Sequence, residues 1–91
     1  MSEDHAELLD TTTHCAVVKL PTRKYPGVVI QGDSLHAWYT SVRSAKTLCE
    51  AGEIAEAVDE LTQVIDLLSS YLGNYERVLK QHGIDLPYTG D

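Results

Sequence analysis

A chain of 91 residues with 43% apolar content is expected to form one domain, spanning 1–91, with a modest core; it is too short for a nucleotide-binding α/β fold and too apolar for wholesale disorder. A formal net charge of −7 disfavours nucleic acid as a ligand, because phosphate neutralisation needs a basic surface. Two cysteines are too few for a disulfide scaffold, no apolar run approaches the ~20 residues that span a bilayer, and the acidic start MSEDHAELLD lacks the regions of a secretion signal, so a cytoplasmic protein with no membrane contact is expected.

Residues 6–31 read as a sheet region. Ala6 to Leu9 is a short edge strand, and His14 to Leu20 a better one. Pro21 stops that strand, since proline has no N–H for the ladder. A turn bracketed by Pro21 and Pro26 carries a basic tip, Arg23-Lys24, and Gly27 to Gln31 is the next strand. So short a connection makes the two strands an antiparallel hairpin. Ala16, Val18, Leu20, Val28 and Ile30 are expected to face the helices, with Cys15, Val17 and Val29 pointing away.

The first helix is predicted over 33–51. Asp33 is placed as its N-cap, and Leu35, Trp38, Val42, Ala45 and Cys49 recur as one apolar stripe. Cys49 then reads as a small buried hydrophobe. Gly52 supplies the break, and a second helix follows over 53–83. Its Ile54, Val58, Leu61, Ile65, Leu68, Leu72, Tyr75 and Leu79 recur at heptad spacing, a seam that calls for burial. A second stripe, Ala57, Val64, Tyr71 and Val78, runs beside it. Gly83 is the left-handed terminus, Ile84 folds back, and 84–91 is a tail. At ~1.5 Å per residue the helices measure ~27 and ~45 Å, so the first covers the second only to about Tyr71. The overhang, with Leu72, Tyr75, Val78 and Leu79, needs another neighbour. The sheet lies at that end; a second copy of the chain is the alternative. The fold class is therefore α+β: a small antiparallel sheet of two or three strands followed by a long antiparallel helical hairpin.

Chemistry is sparse. The four histidines form no i, i+4 pair, and there is no CxxC, HxxxH or HExxH, so neither metal nor cofactor is expected. Glu53, Glu56 and Glu60 line one helix face and read as a solvated rim unless a pocket shifts their titration. Gly32-Asp33-Ser34 lacks the glycine pattern of a phosphate loop. Charge is unevenly spread: residues 11–46 carry +4 and residues 47–76 carry −7. An acidic second helix would attract and steer a basic partner. Tyr71 and Tyr75 lie on the helices near the sheet end, where aromatics often serve interfaces.

The segment AVVKLPTRKYPGVVIQGDSL, Ala16 to Leu35, resembles the signature of a family of short bacterial proteins catalogued only as a domain of unknown function: L-P-x-R-x-(aromatic)-P-G-(apolar)₃-Q-G-D-(S/T)-L, then a helical hairpin. The resemblance implies a bacterial, cytoplasmic, stand-alone domain and carries no activity across. A second, local likeness links CEAGEIAEAVDEL to the turn of a tetratricopeptide helix pair; with one unit and no repeat, it marks shared turn geometry.

These readings make an enzyme unexpected. They point to a protein-interaction module, most concretely an immunity-type inhibitor of a basic partner. Its candidate contacts are Glu53, Glu56, Glu60, Tyr71 and Tyr75, with Arg23 and Lys24 left without a structural task. The alternative is a homodimeric structural or regulatory domain without catalytic activity.

Overall fold

The structure, a computed structural model, describes residues 7–10 and 16–89. Strands β1 (Glu7–Asp10), β2 (Val17–Lys19) and β3 (Gly27–Val28) precede helices α1 (Gly32–Glu50) and α2 (Ile54–Gln81). The strands form one antiparallel sheet in the order β1-β2-β3, and the helices pack against each other as a hairpin, an α+β fold. The predicted strand positions Ala6, His14 and Cys15 lie outside the described residues. Among the described residues no helix is long and apolar enough to cross a membrane. The chain divides into two compact units, Met1–Val29 with Tyr71–Asp91, and Ile30–Ser70.

The first unit holds the sheet and the last turns of α2. Val17, Tyr75, Val78 and Leu79 form its buried core, with Leu9, Val28, Ile84 and Leu86 packed against it. The sheet thus covers the overhang at Tyr75, Val78 and Leu79, while Leu72 stays exposed. On β3 the expected face is the observed one, Val28 inward and Val29 outward, but on β2 the face is the reverse of the one expected. Val17 pairs with Val28, and cross-strand partners share a face, so Val17 enters the core while Leu20 and Val29 are exposed. The side-chain period of a strand is two, so one residue of register exchanges the faces, and alternation is silent where both faces are apolar. Beyond the paired residues, the Val29 N–H donates to the Ala16 carbonyl at 2.8 Å, and the Arg23 N–H closes the turn on Leu20 O at 3.2 Å.

Both helices end in the same way. Gly52 has φ of +82° and Gly83 φ of +68°, the left-handed region that costs other residues most. The Gly52 N–H donates to Cys49 O and the Glu53 N–H to Leu48 O; the Gly83 N–H donates to Lys80 O and the Ile84 N–H to Leu79 O. Each pair of bonds satisfies carbonyls that the helix end would orphan. In the second case Ile84 also packs on the cluster containing Leu79.

The start of α1 departs from expectation. Its N-cap is Gln31, which makes no side-chain capping bond, and Asp33 lies inside the first turn, where its Oδ1 accepts from the Ser34 N–H at 2.8 Å. The carboxylate still sits at the positive end of the helix, so the charge–dipole benefit survives although the cap does not.

Candidate functional site

In the second unit half of the helix residues taken out of water are serine or alanine. On α1 the protected positions are Ser34, Trp38, Ser41, Ala45 and Leu48; on α2 they are Ala57, Glu60 and Val64. Ala45 and Ala57 are the most deeply buried, at 2% and 0% exposure. Serine and alanine at these points bury little apolar area, so the contact between the helices leaves their large side chains elsewhere.

The helices therefore do not meet along the predicted heptad seam. Ile54, Val58, Leu61, Ile65, Leu68 and Leu72 are all exposed, Ile65 at 60% and Val58 at 52%. Only Tyr75 and Leu79, the last two seam positions, are buried, in the core of the first unit. On α1 the predicted stripe splits likewise. Ala45 is buried and Trp38 half-buried, but Leu35 and Val42 are exposed, and so is the free thiol Cys49. Each buried stripe lies beside the predicted one, because positions one residue apart are offset by ~100° around a helix.

These exposed residues share one side. At ~100° per residue, Leu35, Val42 and Cys49 stand roughly a quarter turn from the centre of the buried stripe of α1. Ile54, Val58, Leu61, Ile65 and Leu68 stand roughly a quarter turn, in the same rotational sense, from that of α2. The helices run antiparallel, so equal rotations bring both groups onto the same face. The opposite face is mainly polar: Ser44, Glu56 and Gln63 lie along it, together with Ala37 and the exposed Leu67. The hairpin is thus two-sided, apolar on one face and mainly polar on the other. A contiguous apolar surface of this kind marks an interaction site more often than an accident of composition.

The residues singled out from the sequence are dispersed by the fold. Glu53 and Glu56 are exposed and Glu60 is half-buried, all three away from the apolar face. Tyr71 and Tyr75, expected on a rim, are buried at 7% and 6% exposure, which corrects their assignment as contact residues. The reason is the sheet, which takes the last turns of α2 into the core. The Tyr75 hydroxyl donates to the Pro26 carbonyl at 2.7 Å. Burial, with the neighbouring Tyr25 as a second cause, raises its pKa. Arg23 and Lys24 are exposed at the turn, where the Lys24 ammonium lies 5.3 Å from the centre of the Tyr25 ring, a cation–π distance.

Elsewhere the first unit has an open groove of about 450 Å³ lined by Glu76, Lys80, Gly83, Ile84, Asp85 and Leu86. Glu76 there accepts a hydrogen bond from the Tyr88 hydroxyl at 3.0 Å. Burial, then that bond and the carboxylate's charge, push the Tyr88 phenol up to about 12. Among the described residues no group of three His, Cys, Asp or Glu side chains could hold a metal ion.

The apolar face is the feature that sequence reasoning missed. Its signal was present in the small residues Ser34, Ser41, Ala45 and Ala57, which form a protected stripe beside the seam. No curated protein and no solved structure matches the chain. The model of a family of unknown function, DUF6959, matches residues 1–88, and the chain belongs to that family.

Proposed function

We propose that the protein is a protein-interaction module without catalytic activity, and that its binding surface is the apolar face of the helical hairpin. One observation carries this reading: the heptad seam of α2 from Ile54 to Leu68 lies in solvent while a neighbouring stripe packs against α1. Each of its large side chains is about half exposed, and covering it recovers roughly 1 kcal/mol per residue. Over five positions that is about 5 kcal/mol, at the low end of the cost of association, so a stable contact also draws on Leu35 and Val42 of α1 and on a matching apolar surface of the partner.

A second reading follows from the opposite face. Exposed Glu53 and Glu56 suit an immunity-type inhibitor that covers a basic partner. The loss of Tyr71 and Tyr75 to the core deprives that surface of its aromatic anchors, so it ranks below the apolar face.

Photo-crosslinking in cells distinguishes them. A photoreactive residue at Val58 is expected to give protein adducts, whether to a second copy or to another protein, and one at Gln63 to give none. Adducts confined to position 56 or 63 would favour the acidic surface instead. Absence of adducts at every position would remove the interaction reading.

A further inference from the structure

We infer that the occupant of this apolar face is a second copy of the chain. Two hairpins pack face to face as a symmetric dimer, enclosing Leu35, Val42, Val58, Leu61, Ile65 and Leu68 between four helices. The inference rests on the reading of this face as the binding surface and names its partner.

Charge decides between occupants. Each copy carries −7, so a second copy is tolerated only where its carboxylates stand clear of the contact. In the heptad frame of the seam, the flanking positions open to a partner are Ala55, Thr62 and Ser69, none of them charged. Glu56, Asp59, Glu60 and Asp66 fall at positions farther round the helix. On the α1 edge, Lys46 is neutralised by Glu50 at 2.7 Å. A basic partner would want carboxylates at the rim of this face, and the α2 rim offers none. A like-charged copy meets no rim repulsion, and the remaining charges are screened within about 8–10 Å at physiological salt.

Area and shape agree. The seam from Ile54 to Leu68 is ~22 Å long, and two helices side by side are ~20 Å wide, so the face projects on the order of 450 Å². Two copies then cover about 900 Å² in projection and more in accessible area, within reach of the ~1,200 Å² at which stable interfaces begin. An isologous contact needs one self-complementary patch, and the heptad spacing of Val58, Leu61, Ile65 and Leu68 supplies ridges that interdigitate with their own copy.

Sedimentation equilibrium on the purified chain tests this. The expected mass is twice the 10.0 kDa of one chain. I65E is expected to weaken the dimer by roughly 100-fold or more, and Q63E on the polar face to change it by less than about threefold. Circular dichroism on both variants confirms that the helices remain. A wild-type chain that stays monomeric at millimolar concentration overturns the inference, as does an I65E chain that stays dimeric. The crosslinking result then separates the two levels. A monomer whose Val58 adducts contain other proteins overturns self-association alone; a monomer with no adducts at Val58 overturns the reading of this face as the binding surface too.

Discussion

The two ends of α2 carry one continuous apolar pattern and meet opposite fates. In the first unit Tyr75, Val78 and Leu79 are enclosed by Val17, Val28 and Leu9 of the sheet. In the second unit Val58, Leu61 and Ile65 face solvent while Ala57 and Val64 are buried. The difference lies in what each end is offered. A sheet presents branched side chains over a broad surface and accommodates large residues opposite. The neighbouring helix presents the small residues Ser41 and Ala45 among its protected positions, a narrower surface than a sheet offers. One end of the helix therefore contributes mainly to stability, and the other presents its large side chains outward.

Truncation is the sharpest way to test that contrast. Leu79→Ala, at a site with 0% exposure, is expected to cost about 2–5 kcal/mol in urea unfolding, from lost transfer energy and the cavity left behind. Ile65→Ala, measured at high dilution where single chains prevail, is expected to cost under about 1 kcal/mol. Comparable costs at the two sites would end the distinction between the units.

A matched pair of glycines serves as a control. Gly52→Ala and Gly83→Ala each force a side chain into positive φ, and neither position has a neighbour within 4 Å to clash with. Each is expected to cost about 1–2 kcal/mol, because the strain is local and the motif is the same. A much larger cost at Gly83 would show that its fold-back onto the core through Ile84 matters more than the turn itself.

The smallest effect is alkaline. Tyr75 and Tyr88, both in the first unit, have pKa values raised in the folded chain, Tyr88 to about 12. The unfolded chain loses these protons near pH ~10 while the folded chain keeps them. Their contribution to stability is therefore complete below pH ~10 and falls as pH climbs toward 12. Tyr88 is 40% exposed, so solvent screening keeps its share small. Tyr88→Phe should flatten the decline in stability measured between pH ~10 and ~12. An unchanged slope would place the alkaline sensitivity elsewhere.

Much of the architecture was legible in residues whose conformational demands are local. Gly52 and Gly83 announced helix ends, Ile84 announced the fold-back, and the excess length of the second helix called for the sheet. Side-chain orientation was less legible. Val17 changed faces through one residue of register, and Asp33 lies two residues inside the cap position, which Gln31 takes. Cys49 and the heptad seam turned outward because two adjacent stripes on each helix were both apolar enough to pack. Of the residues chosen as contacts, Glu53 and Glu56 remained on the surface, and Tyr71 and Tyr75 did not.

By itself the sequence determined the order of elements, their approximate limits, the antiparallel hairpins and the family, since propensity, glycine conformation and chain length act over short range. Only the tertiary structure decided which stripe of each helix is buried. That choice depends on which side of each helix the rest of the fold covers, and on α1 and α2 the most deeply buried positions between Ile30 and Ser70 are the alanines Ala45 and Ala57, not the large residues of the seam.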